Sequence, residues 1–217
     1  MQPVNRIQQN VLATAERRLL TWFCARLPRW VKPDHLTALG LFGGIIILGG
    51  YAGSRFHSGW LWVAVIGFVV HWFGDSLDGS LARFRKIERP DFGYFIDHSV
   101  DGLTNLMILA GLGLSPFVRL DIALFTLAGY LLLSIHAFLA ARVVGEMRLS
   151  YLAAGPTELR LLLIALTLAM FVFGGAPVLS TGLSAFDLFV GTVGIVLVIL
   201  FIAQTLVTAR QLAQRGR

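Results

Sequence analysis

The sequence predicts an all-α integral membrane protein: six transmembrane helices preceded by an N-terminal amphipathic helix lying in the membrane interface. Three observations carry that expectation. The 217 residues are 56% hydrophobic and only 14% charged, with a mean hydropathy of +0.75, where a soluble domain carries roughly 25% charged residues. The charges that do occur divide most of the chain into six apolar runs of spanning length. Finally, if the chain crosses six times, 16 of its 18 Lys and Arg residues fall on one side.

The elements follow in order. Residues 1–34 place Ile7, Val11, Leu12, Ala15, Leu19, Trp22, Phe23 and Leu27 near one helical face and Arg17, Arg18, Arg26 and Arg29 elsewhere. That is the pattern of a basic helix lying in the interface, and Trp22 and Trp30 favour the headgroup zone. A cleavable signal peptide needs an uninterrupted apolar run, which this segment does not have. Apolar runs then cover about 35–54, 59–79, 93–115, 120–141, 159–176 and 186–208, each near the roughly 17 to 25 residues a bilayer requires. Residues 209–217 read as a basic tail. The organisation expected is therefore a juxtamembrane helix (1–34), one six-helix membrane domain (35–208) and a short tail. The lone Cys24 rules out an internal disulfide or a multi-cysteine metal site and is expected to be a small apolar filler.

Orientation comes from the basic residues. Residues 1–34, the connection 83–89, the group Arg142, Arg148 and Arg160, and the tail with Arg210, Arg215 and Arg217 lie on one side, leaving Arg55 and Arg119 on the other. The positive-inside rule then puts both termini in the cytoplasm. The formal charge of +6 is accounted for by anionic headgroups, and no soluble basic face points to nucleic acid.

Against this background residues 74–101 are unusual, with five aspartates and four cations in one stretch. Asp75 and Asp78 close the second span and Asp97 and Asp101 open the third, so both pairs are expected near the cytoplasmic surface. Spacings of three and four residues put each pair on one helical face, and two antiparallel helices can point all four into one pocket. An Asp at mid-bilayer costs about 2.5–3.5 kcal/mol, and four together also repel one another. Divalent cations are the simplest compensation, because Mg²⁺ or Mn²⁺ favours carboxylates, water and a substrate phosphate, and two such ions can clamp a phosphoryl transfer. Pairing with Arg83, Arg85, Lys86 and Arg89 alone is the plainer account, but a loop of cations is not expected to follow four carboxylates into the membrane. Gly79 and Gly93 clear space for a bulky ligand, with close helix packing as the bland alternative. Arg83 offers a planar fork suited to phosphate. His71 precedes Asp75 by one turn and could orient it. His98 should point about 100° away from Asp97 and is not counted as a ligand. His136 is expected to make an interhelical hydrogen bond.

Asp75, Asp78, Gly79, Ala82, Arg83, Gly93, Asp97 and Asp101 fit D-x2-D-G-x2-A-R-x(8 or 9)-G-x3-D-x3-D. In this pattern the chain resembles the CDP-alcohol phosphotransferase (CDP-alcohol phosphatidyltransferase) family, class I. The likeness extends to six spans, the N-terminal helix, KPDHLT at 32–37 and, less specifically, GPTELR at 155–160. The resemblance implies that residues 35–208 are a catalytic domain in which Asp75, Asp78 and Asp97, joined by Asp101, hold Mg²⁺ or Mn²⁺, two ions in all. Gly79, Ala82, Arg83 and Gly93 would line the site for a CDP-linked lipid donor, and Asp101 would be the general base toward a small polar alcohol acceptor, with CMP released. It further implies a phospholipid-synthesising homodimer in a bacterial inner (cytoplasmic) membrane, its active site facing the cytoplasm. Arg142, Arg148 and Arg160 could contact a phosphorylated acceptor, or serve only as positive-inside anchors. The acceptor stays open among glycerol phosphate, inositol, inositol phosphate and serine, and Asp97-His98 is similar to the branch in which a CDP-amino alcohol donates to diacylglycerol. Two other classes compete. An intramembrane prenyltransferase would need more spans and a different aspartate pattern. A cation transporter would place acids near mid-membrane and toward both faces.

Overall fold

A computed structural model of the chain describes residues 5–6, 13–144, 146–147, 156–176 and 182–215. These form seven helices, α1 (Ala13–Arg26), α2 (Pro33–Gly53), α3 (Trp60–Arg85), α4 (Pro90–Leu114), α5 (Leu120–Val144), α6 (Pro156–Phe173) and α7 (Ala185–Arg215). A parallel two-residue pairing of β1 (Asn5–Arg6) with β2 (Glu146–Met147) accompanies them. The fold is thus all-helical, as expected, and each apolar run becomes a helix. Five of them, α2, α3, α5, α6 and α7, are long and apolar enough to cross a membrane. Helix α4 has 25 residues but is not among the five, because Asp91, Asp97, His98 and Asp101 occupy its first half.

Two boundaries differ from the sequence reading. Arg83 and Arg85 belong to the last turn of α3 rather than to a loop, and α7 runs through most of the expected tail to Arg215. Helix α3 stops where Lys86 takes the left-handed conformation (φ 56°), with the Ile87 N–H donating to the Ala82 carbonyl at 3.0 Å in a Schellman-type closure. Pro90, preset for a first helical turn, opens α4 four residues later. So short a connection makes α3 and α4 antiparallel neighbours.

Helices α2 and α3 touch backbone to backbone. A Cβ on Gly43 would lie 2.5 Å from the His71 nitrogen, one on Gly50 2.4 Å from the Ala64 nitrogen, and one on Gly74 2.3 Å from the Gly40 nitrogen. Small residues give this closeness where lipid supplies no hydrophobic drive between helices. The central core gathers Ile47, Tyr51, Phe68, Leu112 and Met170, and the Tyr51 and Thr167 hydroxyls hydrogen-bond at 2.7 Å, tying α2 to α6. Gly129 of α5 faces the Gly194 carbonyl of α7, and Thr126 donates to the Val190 carbonyl at 2.9 Å.

Helix α1 packs against α3. Leu20 and Cys24 are buried with Leu77 and Leu81 of α3, Phe23 meets Phe73 edge to face at 5.1 Å, and burial pushes the Cys24 thiol pKa up, as suits an inert filler. The Arg85 guanidinium donates to the carbonyls of Leu27 (3.0 Å), Pro28 (3.0 Å) and Val31 (2.5 Å) after α1. Glu16 Oε1 accepts from Trp72 Nε1 of α3 at 2.9 Å and from Thr157 Oγ1 of α6 at 2.7 Å. Leu19, Trp22 and Trp30 stay exposed on the outward side.

The bundle end at the α4–α5 and α6–α7 connections is latched. Buried Asp187 accepts the Arg119 N–H at 2.7 Å and the Ser184 N–H at 2.9 Å, while the Ser184 hydroxyl donates to the Phe117 carbonyl at 2.8 Å.

Candidate functional site

The α3–α4 hairpin places its four motif carboxylates at the opposite end from that latch. A cavity of about 320 Å³ opens there between the starts of α2 and α4 and the end of α3. Its walls include Asp78, Gly79, Ala82 and Arg83 from α3, Gly93 and Asp97 from α4, and Thr37 from α2. All four residues expected around a CDP moiety therefore share one cavity. Gly93 has nothing within 4 Å of where a Cβ would stand, so open space rather than helix packing is what its missing side chain provides. At Gly79 the nearest atom to such a Cβ is Arg83 Nη1, at 3.3 Å. Across the mouth Arg89 pairs with Asp34 and lies over the Phe92 ring, 4.2 Å from its centroid, which joins α2 to the start of α4.

Deeper in, Asp75, Asp78 and Asp97 line one narrow cleft together with Thr37, Gly40, His71 and Val100. Asp101 lies one turn beyond Asp97, and these two carboxylates and the His98 imidazole offer ligand atoms within 4.8 Å of one another. His98 thus departs from the expectation that it would diverge. Its Nδ1 is 3.8 Å from Asp97 Oδ2 and 4.0 Å from Asp101 Oδ2, and the ring is held between Tyr94 and Phe138 with centroids at 4.5 and 5.0 Å. The 100° step applies to the Cα–Cβ direction, and the aromatic neighbours set where the ring goes.

Asp78 is held by two hydrogen bonds. Thr37 Oγ1 donates to its Oδ2 at 2.7 Å and the Gly79 N–H to its Oδ1 at 2.5 Å. Each carboxylate oxygen has a second lone pair, so these bonds orient the group without closing it to a cation. Asp75 instead pairs with Arg160 of α6. His71, buried one turn earlier, has Nδ1 3.1 Å from the Gly40 carbonyl and Nε2 3.4 Å from Arg160 Nη2. The donor set of several carboxylate oxygens with a hydroxyl beside them fits a hard divalent cation.

Of the three arginines proposed for an acceptor, Arg160 is buried and paired with Asp75, though it lines neither cavity. Arg142 is exposed near the end of α5 and lines neither cavity, and Arg148 lies outside the described residues. His136 of α5 is buried, with Nδ1 3.4 Å from Thr205 Oγ1 of α7, the interhelical contact expected. Sequence reasoning did not find Thr37, Glu16 or the Arg160–Asp75 pair. Thr37 stands in the KPDHLT segment, where nothing in the local sequence gives its hydroxyl a partner.

Comparison with known proteins agrees with this arrangement. The profile of the CDP-alcohol phosphatidyltransferase family matches residues 30–211. The chain is 35% identical over 105 residues to the archaetidylinositol phosphate synthase of Pyrococcus horikoshii, 48% of this chain and 52% of that protein. It is 34% identical over 91 residues to the phosphatidylinositol phosphate synthase of Cutibacterium acnes, 42% and 41% of the two chains, and 25% identical over 122 residues to cholinephosphotransferase 1 of Danio rerio, 50% and 32%. These alignments span about half or less of each relative's own length. With the profile running from the loop before α2 to late in α7 and every motif position gathered at the α3–α4 hairpin, the chain is an integral membrane protein belonging to the CDP-alcohol phosphatidyltransferase family.

Proposed function

We propose that this protein transfers a phosphatidyl group from CDP-diacylglycerol to a polar alcohol and releases CMP. The observation that carries the reading is the single cavity walled by Gly79, Ala82, Arg83 and Gly93 and bordered by Asp78 and Asp97. In it the cytidine diphosphate lies against the three small residues and the Arg83 fork. Asp75, Asp78, Asp97 and Asp101 would hold two Mg²⁺ or Mn²⁺ ions, which would supply charge neutralisation for the diphosphate and alignment of attack and departure. Asp101 takes the proton from the acceptor hydroxyl, and the resulting alkoxide attacks the phosphorus remote from cytidine. Thr37 and the Gly79 N–H hold Asp78 in place, and Arg160 supplies the nearest buried cation for a phosphate on the acceptor. That favours a phosphorylated acceptor, in line with the inositol phosphate synthases among the relatives. Six spans with α4 as the third, a cytoplasmic site, cytoplasmic termini and a homodimer complete the proposal, with α1 seated in the interface through Leu19, Trp22 and Trp30.

A second reading, a CDP-amino alcohol donating to diacylglycerol, is favoured by the Asp97-His98 pair and the cholinephosphotransferase relative. The test is CMP release by purified protein in detergent, with and without Mg²⁺ or Mn²⁺, using CDP-diacylglycerol and glycerol 3-phosphate, inositol, inositol phosphate, serine or choline. Metal-dependent release with one acceptor establishes class and substrate. Silence there, with release from a CDP-amino alcohol and diacylglycerol, selects the second reading, and silence in both refutes the catalytic role of the aspartates.

A further inference from the structure

The Arg160–Asp75 pair crosses between the motif hairpin and a helix that contributes nothing to the motif. The Arg160 side chain is only 11% exposed and that of Asp75 22%, so water screens the pair poorly. The Gly40 carbonyl is an acceptor only, so the His71 Nδ1 near it carries the proton and Nε2 presents a lone pair to Arg160. The guanidinium thus has two acceptors, Asp75 and His71, and the second is itself fixed by α2. Thr157, three residues before Arg160 on the same helix, is bonded to Glu16. The turn that carries Arg160 is therefore anchored, and its side chain can leave Asp75 by changing rotamer rather than by movement of α6.

From this geometry we infer that Arg160 is a built-in competitor for the metal site, a permanent cation seated on the Asp75 carboxylate that a divalent ion must displace. The inference rests on the proposed metal role of the aspartates. An arginine cannot lose its charge, and a divalent ion drawn to the same carboxylate edge would face it at close range in a weakly screened setting. The two occupancies oppose each other, so their coupling is reciprocal. The exchange has a use. A planar fork suited to phosphate is released only once Asp75 has been taken up by metal, which orders metal binding before recruitment of a phosphorylated substrate. It also means that the four carboxylates are partly neutralised while the protein folds into the membrane, before any ion arrives.

The test reads metal binding rather than turnover: equilibrium Mn²⁺ binding to full-length protein in detergent, followed by the electron paramagnetic resonance of free Mn²⁺, for the native chain, Arg160→Gln and Asp78→Asn. Arg160→Gln is expected to bind Mn²⁺ at least about fivefold tighter, the lower end of typical coupling between sites, and Asp78→Asn more weakly than the native chain. If Arg160→Gln yields no folded protein, Arg160→Met keeps the unbranched stem without the charge and carries the same expectation. Native binding that Asp78→Asn weakens but Arg160 replacement leaves unchanged, or also weakens, overturns the competition while leaving the metal reading intact. No Mn²⁺ binding by the native chain or either variant overturns both, whereas binding that appears only after Arg160 replacement supports the competition in its strongest form.

Discussion

Replacing Gly74 by alanine tests whether the glycine contact between α2 and α3 sets the geometry of the site. The added Cβ would stand 2.3 Å from the Gly40 nitrogen and 2.5 Å from the Leu36 carbonyl oxygen, both backbone atoms that no rotamer change can move. Ordinary contact begins at 3.4 Å, so the helices have to separate by about 1.1 Å. Thr37 sits between those two residues on α2, and its bond to Asp78 is 2.7 Å long. The same displacement stretches it to about 3.8 Å, beyond hydrogen-bonding range. Overpacking of this kind costs about 1–3 kcal/mol, and a chain of this size loses about 2–4 °C in Tm per kcal/mol. Thermal unfolding in detergent should therefore show a clear fall, and metal-dependent CMP release should fall with it. Gly49→Ala is the control, because nothing lies within 4 Å of its Cβ; it should keep native activity and a Tm at or slightly above the native value, alanine being the better helix former. Should Gly74→Ala keep its Tm within about 1 °C of the native value and retain full activity, the backbone seam would not be what holds Thr37 against Asp78.

Other substitutions probe separate parts of the argument. Thr37→Val removes one hydrogen bond to the Asp78 carboxylate, worth about 1.5–3 kcal/mol, and should lower Tm by about 3–12 °C and reduce metal-dependent turnover; equal turnover would show that the Gly79 N–H suffices to orient Asp78. Asp101→Asn should cut turnover by at least about 100-fold, the usual contribution of a general base, while CDP-diacylglycerol binding by calorimetry stays near native; near-normal turnover would remove Asp101 as the base. Gly93→Leu adds bulk where the structure has free space, so it should leave Tm unchanged and weaken donor binding, and unaltered binding would put the cytidine elsewhere. Arg85→Ala releases the carbonyls after α1 and should expose the Cys24 thiol to maleimide labelling, which intact docking of α1 would prevent.

What could be seen in the sequence and what could not divides along chain separation. The six apolar runs are local patterns, and each became a helix within a few residues of its expected limits, apart from the extensions of α3 to Arg85 and α7 to Arg215. The eight motif positions lie within 27 residues, and a short hairpin leaves them few ways to be arranged. Thr37 meets Asp78 across 41 residues, Glu16 meets Trp72 across 56 and Thr157 across 141, and Arg160 meets Asp75 across 85. No periodicity records such contacts. The glycines of α2 and α3 were in plain view, yet only the packing decides which faces they serve: Gly74 abuts backbone and Gly49 abuts nothing. Basic α1 read as a membrane-surface helix because its exposed Trp22 and arginines dominate its pattern, whereas its docking depends on Leu20 and Cys24 finding Leu77 and Leu81.

The Asp187–Ser184 latch has a mechanical consequence. It fastens the α4–α5 and α6–α7 connections by bonds that run from side chain to backbone and are shielded from solvent, so the helices are bound together there as pages are along a spine. The bonds join residues 117–119 to residues 184 and 187, so they fix the end of the bundle at which α4 and α6 run into α5 and α7. That spine lies at the end remote from the carboxylates, whereas beside the carboxylates α2 and α3 stay closed against each other through Gly40 and Gly74.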